Sequence, residues 1–242
     1  EEYEAYLKGC GVSLNTVSFY NRILRAAYNR AVEKGLTPQR HPFRNVYTGM
    51  EKTVKRAIPF EAIRRIKKLD LSLKPALDFA RDMFLFSFYT RGMSFVDMAY
   101  LRKSDLKNGI LSYRRKKTGQ QLRIRWERCM QEIVEKHPNV TTEYLLPMIT
   151  NPAISERRQY ENALHLVNNK LKKVAEMAGL SVPLTMYVTR HSWASTAKCK
   201  NIPLSVISEG MGHDSETTTQ IYLASLDTSV IDEANGLILK DL

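Results

Sequence analysis

In residues 13–34, Val17, Leu24, Ala27, Tyr28 and Ala31 recur at helical spacing, and Gly35 stands where a helix usually ends. Pro38, Pro42 and Gly49 interrupt the next stretch, which reads as a connection. Pro59 is placed to open a helix carrying Ile63, Ile66 and Leu69. Residues 75–89 are apolar nearly all round, through Leu77, Phe84, Leu85 and Phe88, and predict a buried helix. The period then changes to two. Leu111 and Tyr113 alternate with polar residues, Thr118-Gly119 supplies a turn, and Leu122, Ile124 and Trp126 alternate again, which predicts a β-hairpin. Leu164, Val167, Leu171, Val174 and Met177 return to the helical period and stop before Gly179. Residues 188–226 hold two or three short helices, one opened by Pro203 and another capped by Ser215. The pattern predicts a mainly α protein with a small antiparallel β-sheet (α+β). A boundary falls near residue 55, between a small helical piece (1–55) and a larger domain (56–242).

Composition adds a partner class. Hydrophobic residues make up 43% of the 242, enough to bury a core. Lysine and arginine outnumber acids 37 to 25, for a net charge of +12. Such an excess points to an anionic partner, most often nucleic acid, although a basic surface alone does not decide it. Cys10, Cys129 and Cys199 are odd in number and form no CxxC pair, so neither a disulfide framework nor a zinc ribbon is expected. A reducing cytoplasm fits this usage. The longest apolar runs, such as residues 83–88, are too short to span a bilayer, and the start has no signal-peptide pattern. His165, His191 and His213 lack zinc-ligand spacing, so a zinc hydrolase is set aside and no metal or cofactor is expected. A first residue that is Glu1, with structure expected almost at once, reads as a fragment of a longer protein.

The densest chemistry lies near the end. Thr189-Arg190-His191-Ser192-Trp193-Ala194-Ser195-Thr196 is followed by Gly212-His213, and Tyr222 stands nine residues after His213. Together these resemble the C-terminal signature of the tyrosine site-specific recombinases, the phage integrase family: Arg-His-(Thr/Ser)-x-Ala-(Thr/Ser), then Gly-His, then a nucleophilic tyrosine nine residues on. Each element alone is weak, since Arg190 can pair with a carboxylate, His213 can cap a helix and Tyr222 can fill a core. The three in order and register are specific. The chemistry requires these residue types. A phosphodiester is anionic, and its in-line transition state spreads charge over non-bridging oxygens that fixed cations must meet. The fork of Arg190 suits that task, with His213 beside it. A phenol with a pKa near 10 needs nearby positive charge and a proton acceptor before Tyr222 can attack.

The resemblance covers roughly residues 60–230 and implies more. It implies a tyrosine-recombinase-type catalytic domain preceded by part of a helical core-binding domain that clamps DNA. It implies a hairpin lysine that protonates the leaving 5′-hydroxyl, and Lys117 stands at the family's Lys-Thr-Gly position, with Lys116 adjacent. Two positions depart from the family. Counting back from Leu101 and Asp105 puts Ser94 where the first arginine usually stands, and Arg91 lies three residues earlier. A three-residue step at a helix start would return Arg91 to the same side, so Arg91 is expected to supply that guanidinium. Tyr187 replaces the histidine three residues before Arg190; a phenol donates a hydrogen bond but accepts no proton near neutral pH, which leaves the base unassigned. Asp97 falls at the family's acidic position and is expected to buttress the site, and His191 to be structural. The Arg-Gly-Met-Ser segment, residues 91–94, resembles recombinases of Bacteroidetes mobile elements. Double-stranded DNA, self-assembly to a tetramer on it, accessory DNA-bending proteins and docking of residues 225–242 on a neighbouring protomer are the implied partners. Two alternatives stay open: a type IB topoisomerase-like nicking and resealing enzyme, and a DNA-binding member that has lost catalysis.

Overall fold

The most apolar segment forms the centre. Pro75–Tyr89 is a 15-residue helix whose Met83, Phe84 and Phe86 are fully buried. The computed structural model describes residues 1–51 and 57–223, except the side chains of Ile221 and Tyr222. The chain divides into two compact units, Glu1–Val54 and Lys55–Leu242. The basic run Lys52, Lys55 and Arg56 and residues 225–242 lie outside the described residues.

In the first unit, α1 (Glu2–Gly9) precedes α2 (Leu14–Glu33). Ser13 caps α2 by accepting from the Thr16 amide, and Gly35 leaves it in a left-handed conformation. The buried face of α2 is Val17, Ser18 and Asn21, whereas Leu24 is 45% exposed, contrary to the expectation that it packs inward. The polar members of that face hold the returning chain: Ser18 Oγ donates to the Gly49 carbonyl and Asn21 Nδ2 to the Tyr47 carbonyl. Backbone acceptors, together with the apolar Val17, thus cover this side of α2.

In the second unit, α3 (Phe60–Lys68) follows Pro59, and the central helix Pro75–Tyr89 is α4. A short α5 (Phe95–Ala99) leads to a three-stranded antiparallel sheet, β1 (Leu106–Lys107), β2 (Ile110–Arg114) and β3 (Gln121–Arg125), in that spatial order. Tyr113 pairs with Leu122 and Leu111 with Ile124, so the alternating apolar residues share one buried face. Then come α6 (Arg128–Lys136), α7 (Glu156–Met177), α8 (Met186–Cys199), α9 (Leu204–Met211) and α10 (Glu216–Leu223). Helix α4 packs against α3, α6, α7 and α8. One core joins α3–α8 with the sheet, and a smaller one joins Ala194, Ala197, Ile207, Met211 and Leu223 of α8–α10. No helix among the described residues is long and apolar enough to cross a membrane.

A buried ion network ties α4 to the end of α6. Arg81 bonds Asp78 and Asp82, while Lys136 and His137 both reach Asp82 at 2.8 Å. Asp78, Asp82 and His137 stand close enough to hold a metal ion, but Arg81 and Lys136 already meet the two carboxylates. Burial would raise the Asp82 carboxyl; hydrogen bonds from His137, Lys136 and Arg81 outweigh it and bring the pKa down to about 2. Its contribution is therefore present above pH ~4 and lost as pH falls through about 2. We expect Asp82→Ala to lower the unfolding free energy by about 3 kcal/mol in denaturant titrations at pH 7. The parent should also lose more stability than Asp82→Asn between pH ~4 and ~2; equal losses would remove the network from this role.

Candidate active site

Arg190 lies on the buried side of α8, 6% exposed, between Val188 and Ala194 of the packed face. A buried guanidinium needs acceptors, and two helix ends provide them. Arg190 Nη1 donates to the Gly92 carbonyl at 3.0 Å and Nη2 to the Met211 carbonyl at 2.6 Å. Both acceptors are neutral, so they orient the group without themselves cancelling its charge.

Each helix end is built by left-handed backbone. Helix α4 closes with the Arg91 amide on the Phe88 carbonyl and the Gly92 amide on the Ser87 carbonyl, with φ of +62° at Arg91 and +72° at Gly92. Helix α9 closes with the Gly212 amide on the Glu209 carbonyl and the His213 amide on the Ser208 carbonyl, with φ of +64° at Gly212. Both glycines are also places of close approach. A Cβ on Gly92 would stand 2.7 Å from Arg190 Cα, and one on Gly212 would stand 2.9 Å from Arg115 Cδ. The α4–α8 seam is further fixed by Ser87 Oγ, which donates to the Met93 carbonyl and lies 2.8 Å from Thr189 Oγ1.

Arg91 occupies the position that glycine usually fills at a helix end, at a cost of about 1–2 kcal/mol. The sequence reading brings Arg91 round by a helical step, and the structure corrects that route: α5 starts after Ser94, and Arg91 belongs to the terminal turn of α4. Its Cδ lies 3.7 Å from where a Gly210 Cβ would be, so the side chain passes the last turn of α9. Ser94 has a different task. It caps α5, accepting from the Asp97 amide and donating to Asp97 Oδ2 at 2.6 Å. The other Asp97 oxygen accepts the Lys116 amide at 2.8 Å and so ties the α5 start to the β2–β3 turn.

On that turn Lys117 is exposed. Lys116 is engaged elsewhere, with Nζ 3.8 Å from the Tyr100 ring centroid. Arg115 is a site residue that the sequence reading does not single out. It is 7% exposed and donates to the Gly212 carbonyl. The signal for it is periodicity: Leu111, Tyr113 and Arg115 fall on alternate positions of one buried face.

His213 emerges from the Gly212 turn half-buried, its Nδ1 2.7 Å from Oγ1 of the fully buried Thr219 on α10. Burial first, then the charges of Arg190, Arg115 and Lys117, push its pKa down to about 4, so the ring is neutral at pH 7. Burial likewise raises the Tyr113 phenol, with Asp97 adding to it, while Arg190, Arg115 and Arg91 act in the opposite sense. Arg190, Arg115 and Lys117 thus act electrostatically on His213, and Arg190, Arg115 and Arg91 on Tyr113. Tyr187, one turn before Arg190, is 59% exposed and meets buried His191 edge-on, with ring centroids 4.7 Å apart. Tyr222 belongs to α10, three residues beyond Thr219; its side chain lies outside the described residues. A separate cleft of about 480 Å³, lined by Arg25, Tyr28, His41 and Arg44, belongs wholly to the first unit.

A profile of the phage integrase family matches residues 69–229, more than half of the chain. No curated protein matches the chain by sequence. Among solved structures it is similar to a lambda integrase dimer bound to a COC' core site, with a TM-score of 0.68 and 16% identity over 91% of this chain and 77% of that one. It is also similar to the XerH site-specific recombinase bound to palindromic difH substrate, a post-cleavage complex, with a TM-score of 0.72 and 16% identity over 96% and 70%. A lambda integrase tetramer bound to a Holliday junction gives a TM-score of 0.62 and 19% identity over 84% and 57%. These likenesses establish the fold, mostly helical with a small antiparallel sheet. The profile match runs through Arg91, Lys117, Arg190, His213 and Tyr222, and the chain belongs to the phage integrase family.

Proposed function

We propose that this tyrosine recombinase cleaves and rejoins DNA strands through a covalent 3′-phosphotyrosyl link on Tyr222. The observation that carries the reading is the gathering of Arg190 and Lys117 around His213, whose ring is held by the helix that bears Tyr222. Such a cluster of fixed cations and a neutral donor suits a phosphodiester and its more highly charged transition state. Arg190 and Arg91 would hold the non-bridging oxygens, and His213 would hydrogen-bond one of them. Tyr187, at the exposed mouth of α8, would donate its phenol to the phosphate. The Tyr222 phenol gives its proton to solvent as its oxygen bonds to phosphorus, the P–O5′ bond breaks with its electron pair on the 5′-oxygen, and Lys117 protonates that oxygen. The bond energy kept in the phosphotyrosyl link then serves religation to a second strand.

The first unit would be the last part of a core-binding domain that clamps double-stranded DNA. In keeping with the tetrameric integrase on a Holliday junction, four protomers would hold two sites, with residues 225–242 docking between neighbours and accessory proteins bending the DNA. The Arg-Gly-Met-Ser segment, residues 91–94, supports a place among Bacteroidetes mobile-element recombinases acting in the cytoplasm. One observation favours a second reading, a DNA-binding member without cleavage: the Ser94 hydroxyl is taken up as a helix cap.

A suicide oligonucleotide carrying the recombinase's own core site should trap a covalent protein–DNA complex with the parent and none with Tyr222→Phe; no complex with either would favour the second reading. On the same substrate Arg91→Ala should slow cleavage on the order of 100-fold. Ser94→Ala should leave the rate within a few-fold, and the reverse pattern would remove Arg91 from the phosphate clasp.

A further inference from the structure

The geometry points to Arg115 as a positioning residue that docks the lysine-bearing turn of the hairpin onto the histidine-bearing end of α9. The inference rests on the proposed role of Lys117 as the general acid.

Lys117 sits on an exposed turn, where a free lysine side chain samples many rotamers. An acid acts only from within hydrogen-bond reach of the oxygen it protonates, so the turn beneath it must be held. The turn is closed by two bonds on Arg115 itself: its amide donates to the Gln120 carbonyl at 2.9 Å, and its carbonyl accepts the Gly119 amide at 2.8 Å. Fixing Arg115 therefore fixes the loop that carries Lys117. Two tethers do this from opposite flanks. The Lys116 amide bonds Asp97 at the α5 start. The Arg115 guanidinium bonds the Gly212 carbonyl, immediately before His213.

The second tether is a fitted contact. A Cβ on Gly212 would fall 2.9 Å from Arg115 Cδ and 3.0 Å from Leu122 Cδ1, so hairpin and α9 end touch with no room for a side chain. A residue serving only to fill this space would be apolar, because burying a guanidinium costs several kcal/mol unless its bonds repay it. Arg115 instead spends its buried charge on a carbonyl of the neighbouring catalytic loop, which sets Lys117 and His213 at a fixed separation across the phosphate.

The test is cleavage of two suicide substrates with the same core site, one with an ordinary phosphodiester and one with a 5′-bridging sulfur. Sulfur leaves as a thiolate and takes the electron pair of the broken P–S bond without needing a proton. Arg115→Met should cleave the ordinary substrate at least 10-fold more slowly than the parent and the sulfur substrate within about 3-fold of it. Arg115→Lys, which keeps the charge but loses the fork, should show the same pattern more weakly. Lys117→Ala runs alongside as the reference. If Lys117→Ala is rescued by sulfur but the Arg115 variants are slow on both substrates, Arg115 does not act through the lysine and the proposal falls. If Lys117→Ala is not rescued, the general-acid reading falls and takes the proposal with it. Parent-like cleavage by folded Arg115→Lys and Arg115→Met, or failure of both to fold as judged by thermal unfolding, would likewise overturn it.

Discussion

The guanidinium of Arg190 is held between the carbonyl ends of two helices, and each end turns back through left-handed backbone. Those two turns do most of the spatial work in the site. The α4 end brings Gly92 against Arg190 and sends the Arg91 side chain past α9. The α9 end presents the Met211 carbonyl to Arg190, the Gly212 carbonyl to Arg115, and His213 to Thr219. The Met211 and Gly212 carbonyls, at the C-terminus of α9, carry partial negative charge, which suits a buried cation. Because they carry no full charge, they place cations around a common point without themselves neutralising them.

His213 records the result. Half-burial first, and the cations around it second, hold its ring neutral. A neutral ring adds no further repulsion to a crowded positive site, and an arriving phosphate would relieve the crowding. The same logic explains why Asp97, the nearby buried acid, is committed to Ser94 and the Lys116 amide. It anchors backbone and so supports the site from beneath.

Much of this was legible in the sequence where the physical signal is local. Gly35 and Gly179 end helices because a left-handed residue satisfies the last carbonyls. Alternation announces β2 and β3, and an apolar run announces α4. The signal fails where burial is sparse. Helix α6 buries only Met130 and Ile133, too few to set a period, and the first turns of α7, from Glu156, bury no side chain and so carry no apolar period. In the site, Arg190, His213 and Lys117 follow from their spacing and family pattern. Arg91 is legible as a candidate but not its route, since an arginine is an unusual residue at a left-handed helix end. Arg115 hides within a basic run, where a solvated turn is the ordinary expectation and only the period-two face argues otherwise.

The chemistry turns on one tyrosine among twelve. Trapping the cleaved complex on a suicide substrate, digesting protein and DNA, and locating the nucleotide adduct by mass spectrometry tests it most directly. The adduct is expected on Tyr222, bonded through the 3′-phosphate. An adduct on another tyrosine, or one carried by a 5′-phosphate, would contradict it.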